Sequence, residues 1–342
     1  MTQLACRAII LGCSGYSFSP DEIQLFEQAE PWGLILFKRN ISDPDQVREL
    51  CQRFRDLVGR ADAPVFVDQE GGRVQRLSAP YWPKYPAAEK FLAVCSADLA
   101  PACDLAYLSA RLTAHDLQQV GISVNCMPVL DVPIPGAHQA IGDRAYSPDP
   151  RQIAELGLAA ARGLLSGGIL PVVKHMPGQG RAMLDSHEAL PRVDATMEEL
   201  SKSDFIPFRS LVDLPIGMTG HVLFSQIDEV WPATMSRTVI EKVIRTEIGF
   251  QGLLLSDDVS MKALNGGFRE RTERLFAAGC DIALHCNGLL DEARAVVEGA
   301  PFLSGLSLHR AERALGMRED IQDDFDPVEG RRKLEAALAH PR

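Results

Sequence analysis

Ile169-Leu170-Pro171-Val172-Val173-Lys174-His175-Met176-Pro177-Gly178-Gln179-Gly180-Arg181-Ala182-Met183-Leu184-Asp185-Ser186-His187 is an apolar run that stops in a basic pair, a Pro/Gly turn and an Asp-x-His. A run of strand length that is apolar without alternation belongs to a strand buried on both faces, as in a parallel sheet. Burying a charge or an unpaired polar group costs several kcal/mol. A buried strand that ends in Lys174-His175 and runs into a polar loop carrying Asp185 and His187 therefore points to a site rather than to core.

Runs of the same kind recur at 8–11, 33–37, 64–67, 122–126, 215–218, 252–255 and 281–284, which with 169–173 makes eight strand candidates. Amphipathic helical patterns lie between them, among them 43–58, 98–120, 149–165 and 270–278. Ser42-Asp43-Pro44 and Ser147-Pro148-Asp149-Pro150 are good helix starts, with a capping side chain and an early proline. Eight strands with intervening helices predict an α/β fold, a single (β/α)8 TIM-type barrel with irregular early strands. A doubly wound open sheet would require a Gly-rich phosphate loop after the first strand, and Leu11-Gly12-Cys13-Ser14-Gly15 is a poor match to one. With no linker, repeat or low-complexity segment, residues 1–342 are expected to form one catalytic barrel domain, with a charged helical extension at about 306–342 covering the barrel.

Composition narrows the function. The 342 residues are 46% hydrophobic and 24% charged, the balance of a globular protein with a large core. A formal net charge of -11 disfavours nucleic acid and anionic membranes as partners, because a phosphate backbone needs a basic surface. No apolar run approaches the roughly 18–20 residues of a membrane span, and Met1 to Leu11 lacks the pattern of a secretory signal. The eight cysteines are scattered without a C-x-x-C pair and read as reduced, mostly buried thiols. A cytoplasmic protein is expected.

Polar residues cluster just after the strand candidates. The third is followed by Asp68-Gln69-Glu70-Gly71-Gly72-Arg73-Val74-Gln75-Arg76, and the fourth by Asp131, with Gly142-Asp143-Arg144 later in the same connection. The fifth ends in Lys174-His175, the sixth in Gly220-His221, the seventh in Ser256-Asp257-Asp258 and the eighth in His285-Cys286-Asn287. In a barrel these ends share one face, where active sites form.

Three of these motifs, in this order, carry a resemblance: Val67 to Arg76, Lys174-His175-x-Pro177-Gly178-x-Gly180 with Asp185-Ser186-His187, and Ser256-Asp257-Asp258-x-Ser260-Met261. Together they resemble glycoside hydrolase family 3, and within it the cytoplasmic β-N-acetylglucosaminidases of bacterial cell-wall recycling (NagZ type). The resemblance implies a retaining exo-β-N-acetylglucosaminidase that removes terminal N-acetylglucosamine from N-acetylglucosaminyl-1,6-anhydro-N-acetylmuramic acid fragments. It implies Asp257 as nucleophile, and His187 oriented by Asp185 as acid/base. Sugar binding falls by the same matching to Asp68, Arg76, Arg144, Lys174 and His175. His221 is expected to line the same pocket, and the 77–87 loop, with Trp82, to wall it. Asp258 reads as a structural carboxylate beside the nucleophile. A histidine suits the acid/base task because its ordinary pKa lies near neutrality. Gly178 and Gly180 would give the loop latitude to carry it. Met176 and Gln179 depart from the family's usual Phe and His.

The expected partner is a small glycan, with no cofactor, no metal, no nucleic acid and no membrane, and the chain is expected to be a monomer. Three alternatives stand beside this. A phosphorylase would use the same site with phosphate as acceptor. A metal-dependent barrel hydrolase would need a His-x-His on the first strand, which reads Gly12-Cys13-Ser14-Gly15 instead. A non-catalytic sugar-binding protein would not need Asp257, Asp185 and His187.

Overall fold

The first strand shows how the barrel is built. In β1 (Arg7–Gly12), Ala8 and Ile10 join one buried cluster while Ile9 and Leu11 join another. That is the period of two of a strand buried on both faces. The computed structural model describes residues 6–318 and 324–339. The remaining barrel strands are β2 (Pro31–Leu36), β3 (Val65–Val67), β4 (Val124–Asn125), β5 (Leu170–Met176), β6 (Ile216–Thr219), β7 (Leu253–Asp258) and β8 (Ile282–His285). All eight apolar runs are thus strands. They close in the order β1-β8-β7-β6-β5-β4-β3-β2 with every neighbouring pair parallel, a (β/α)8 barrel.

The early strands are irregular for local reasons. The β1–β2 register shifts between Arg7 and Ile10. β4 stops after two residues, where Met127 N turns back onto Asn125 O at 2.8 Å and Val172 N of β5 donates to Met127 O instead. Its pairing with β5 resumes at Val129, which bridges Lys174.

Helices α1 (Pro20–Ala29), α2 (Pro44–Leu57), α3 (Leu99–Gln119) and α4 (Pro150–Ser166) cover the outside of the early strands. Asp43, Asp98 and Asp149 accept from first-turn N–H groups of α2, α3 and α4, each cap contributing about 1 kcal/mol. Gly163 lets α4 lie on α3, since a Cβ there would meet the Tyr107 carbonyl oxygen at 2.3 Å. A π-helical segment (Val239–Ile248) follows β6, α5 (Phe268–Ala278) follows β7 and α6 (Leu290–Gly299) follows β8.

The tail forms α7 (Gly305–Gly316) and α8 (Pro327–Ala339). α7 closes the lower end of the barrel: Leu308, Ala311 and Ala314 pack with Cys6, Ala8 and Ile10. Buried Asp281 ties it down through Arg310 (3.0 Å), Ser307 (2.6 Å) and Arg245 (2.8 Å). α8 lies on α3 through Leu334 and Leu112, with Arg331 reaching Tyr85 and Asp116. With α7 plugging the lower end, the polar ends of the strands are left as the open face. All eight cysteines are free thiols, seven of them buried. Among the described residues no helix is long and apolar enough to cross a membrane.

Candidate active site

At the upper ends of the strands the inward-facing columns keep their period of two, and three of them turn charged. Phe66 is followed by Asp68, Val172 by Lys174 and Leu255 by Asp257. Ile35 is followed by Phe37 and Leu284 by Cys286. The second member of each pair lines one cavity of about 200 Å³. Arg76, Arg144, His175, Asp185 and His187 line it too. Eight of the nine sequence-predicted residues therefore meet in one place, and His221 does not.

The floor is an ion cluster. Lys174 Nζ lies 2.9 Å from Asp68 Oδ1 and 2.6 Å from Glu70 Oε1. Arg76 reaches Asp68 Oδ2 at 3.1 Å, and Arg144 grips Glu70 with two bonds of 2.8 Å. A tight hairpin delivers Asp68, Glu70 and Arg76, its turn made by Gly71 and Gly72, both with positive φ. A Cβ on Gly71 would meet the Pro86 carbonyl oxygen at 2.2 Å. The 77–87 loop braces this hairpin from outside rather than walling the cavity: Tyr85 O accepts from Gly72 N, Pro83 O accepts from Gln75, and Trp82 is packed into the core.

Burial alone would raise the carboxyl pKa values here, yet Lys174 and Arg76 hold Asp68 well below the usual range, and Arg144 with Lys174 holds Glu70 at about 2. Burial would lower Lys174, but the two carboxylates outweigh it and push it up. Depressed carboxylates add stability that is complete above their unfolded values and is lost as pH falls through their folded ones. Unfolding stability should therefore decline from about pH 5 toward pH 2. Denaturant titrations at successive pH values check this, and flat stability over that span would contradict it.

The Lys174 side chain is 3% exposed. Lys174→Met would take from buried Asp68 and Glu70 the cation they share and leave each with one arginine, so a loss of about 1.5–3 kcal/mol is expected in chemical denaturation. A loss under about 1 kcal/mol, the range of a surface pair, would show the cluster to be well solvated.

Asp257 accepts from the Asp258 N–H at 2.8 Å. Burial would raise it, but His175, that N–H and Lys174 outweigh burial and hold it below the usual carboxylate value, so it is ionised at neutral pH. Asp258 is committed to structure: it accepts from Ser260 N (2.9 Å), Cys286 N (3.1 Å) and Ser260 Oγ (2.6 Å).

His221 corrects the sequence expectation. It is fully buried, with Nε2 2.9 Å from the Asp258 carbonyl and Nδ1 2.8 Å from Thr234 Oγ1. A carbonyl only accepts, so Nε2 carries the hydrogen. Burial pushes the ring's pKa down. Both nitrogens are spent, and His221 holds the backbone beside Asp257 instead of facing the cavity.

The loop after β5 supplies the upper wall. Gly178 has φ +125, but Gly180 is there for contact rather than latitude: a Cβ would fall 2.0 Å from the Val132 carbonyl oxygen. Farther along, Arg181 is anchored to Asp204 at 2.7 Å. One oxygen of Asp185 accepts from the His187 N–H (3.0 Å) and holds His187 Nδ1 (2.8 Å). Those bonds outweigh partial burial and keep Asp185 below its ordinary pKa. The His187 side chain is 72% exposed at the cavity mouth, which leaves its Nε2 free.

Residues 11–304 match the glycosyl hydrolase family 3 N-terminal domain. The chain belongs to glycoside hydrolase family 3. It is 38% identical over 286 residues to a β-hexosaminidase of Pseudomonas aeruginosa, covering 82% of each chain. It is 34% identical over 325 residues to a β-hexosaminidase of Tolumonas auensis, covering 93% of this chain and 92% of that one. Its fold is similar to NagZ from Neisseria gonorrhoeae in complex with N-trifluoroacetyl-D-glucosamine, with a TM-score of 0.84, 29% identity and coverage of 99% and 98%.

Two residues that support this cavity from behind, Glu70 and Asp131, stand in the strand-end polar runs but had no role assigned from the sequence. Glu70 stands two positions after Asp68 and neutralises Lys174 and Arg144. Asp131 is fully buried and holds His175 Nδ1 at 2.7 Å. Of the departures from the family pattern, Met176 is buried at the end of β5 and Gln179 lies in the cavity wall. Among the described residues no group of three or more His, Cys, Asp or Glu side chains is placed to hold a metal ion.

Proposed function

We propose that this family 3 chain, taken as one catalytic domain over 1–342, is a retaining exo-β-N-acetylglucosaminidase. Its substrate would be N-acetylglucosaminyl-1,6-anhydro-N-acetylmuramic acid fragments, and its compartment the cytoplasm. The observation that carries this is the meeting of three things at one cavity: an ionised carboxylate on β7, a cationic and carboxylate floor, and a His–Asp pair at the mouth. A cavity of about 200 Å³ is smaller than a drug-sized site and suits one terminal sugar. The β-hexosaminidase relatives, and the Neisseria NagZ holding an N-acylated glucosamine, support the substrate class.

The chemistry follows from the placements. Asp257 attacks the anomeric carbon and forms a glycosyl-enzyme as the glycosidic C–O bond breaks. His187 gives its Nε2 proton to the departing oxygen. It then takes a proton from the water that attacks the same carbon and frees Asp257. Asp185 holds the opposite ring nitrogen, fixes the tautomer and balances the imidazolium. Asp68 accepts from sugar hydroxyls, while Lys174, Arg76, Arg144 and His175 donate, and Glu70 holds Lys174 and Arg144 from beneath. No cofactor, metal or second subunit is needed.

The test is turnover of a chromogenic N-acetyl-β-glucosaminide and of the anhydro-disaccharide, with products identified. Free N-acetylglucosamine, at a rate indifferent to phosphate and to a chelator, is expected. N-acetylglucosamine 1-phosphate would reassign the chain as a phosphorylase, and loss of activity on chelation would overturn the metal-free reading.

A further inference from the structure

We propose that Asp131 is a positioning residue that sets the tautomer of His175 and pins the base of the His187 loop, so that one buried carboxylate registers the sugar clamp against the acid/base. This rests on the glycosidase reading, in which His175 faces the sugar and His187 moves the proton.

The placement begins in the backbone. Past the end of β4, Lys174 N donates to Pro128 O, and Leu130 N donates to Lys174 O at 2.7 Å. This lays Asp131 beside His175. The carboxylate is 0% exposed, and such a group persists in a core only when its lone pairs are met. Oδ2 holds His175 Nδ1 at 2.7 Å, while Oδ1 accepts from Gln179 N at 2.7 Å and His175 N at 3.3 Å.

Each bond has a consequence. An ionised carboxylate only accepts, so His175 Nδ1 carries the hydrogen and Nε2 is left for the cavity that the ring lines. The bond to Gln179 N fixes the loop where it leaves the barrel. Gly180 resting on the Val132 carbonyl extends the same clamp by one residue. Loop motion that carries His187 therefore starts beyond Gly180, from a base tied to the residue that orients the clamp.

Asp131→Asn separates the two jobs. Its amide oxygen can still accept from Gln179 N, but its N–H₂ would face His175 Nδ1 and force the hydrogen to Nε2. Asp131→Ala removes both bonds. Imidazole ¹⁵N spectra of the wild-type protein should show His175 protonated at Nδ1, and those of Asp131→Asn should show it protonated at Nε2.

kcat/KM should fall about 10–100-fold in Asp131→Asn, the usual weight of such a supporting partner. Asp131→Ala should lose more, with the added loss in kcat. In a His175→Ala background, Asp131→Asn should cost less than about 3-fold, since coupled residues are not additive. An unprotonated His175 Nδ1 in the wild type would overturn the proposal without any variant. So would an undiminished Asp131→Asn cost in the His175→Ala background. If no glycoside were turned over, the tautomer spectra would still decide the role of Asp131, which separates its failure from that of the glycosidase reading.

Discussion

Asp257→Ala is expected to lower kcat/KM by on the order of 10⁴-fold, about 5.5 kcal/mol of transition-state stabilisation, while the fold survives. Asp257 faces the lumen in the same column as Leu253 and Leu255 and lines the cavity rather than the apolar core. Its carboxylate accepts from the next residue's N–H. Removing the carboxylate takes away the group proposed to form the covalent intermediate. Asp258→Ala makes the comparison sharp. That carboxylate holds Ser260 and Cys286 N–H groups, so its loss should show first in thermal stability. Steady-state kinetics and melting curves of the two variants check this. Wild-type turnover by Asp257→Ala would end the mechanism.

His187→Ala should behave differently with each leaving group. General acid help contributes about 10²–10⁴-fold when the departing oxygen is a poor leaving group, and little when it is a good one. With a sugar as aglycone, a loss in that range is expected. With a dinitrophenyl aglycone the first step should stay fast, and the second, now without a base, should become limiting. A burst of phenolate followed by slow turnover would be the sign. A small anion such as azide, which needs no base, should speed the second step. Equal losses on all leaving groups would remove His187 from the acid role. The 72% exposure of the side chain is consistent with a group that swings onto the substrate.

The barrel was legible because each strand is apolar on both faces, so eight unalternating runs stood out from the amphipathic helices between them. Strand ends were less legible. β4 shrinks to two residues because Met127 N turns back onto Asn125 O, although its pairing resumes at Val129. The site was legible wherever it continues an inward column. Asp68, Lys174 and Asp257 each stand two residues beyond a lumen residue. Parity alone does not decide the histidines: His221 stands off the β6 column of Ile216 and Met218 and is spent on Thr234 and Asp258, whereas His175 stands off the β5 column and still lines the cavity. Asp131 was not legible in that way. It lies beyond the end of β4, and its partners His175 and Gln179 are 44 and 48 residues away. Only the register of β4 on β5 shows that they meet.

The proposed bond from Asp257 to the sugar is tested directly by a slow fluorinated β-N-acetylglucosaminyl donor. After quenching and proteolysis, mass spectrometry should find one sugar adduct per chain, on the peptide that carries Asp257 and absent from Asp257→Ala. An adduct on another carboxylate, or turnover with no enzyme-bound sugar, would contradict it.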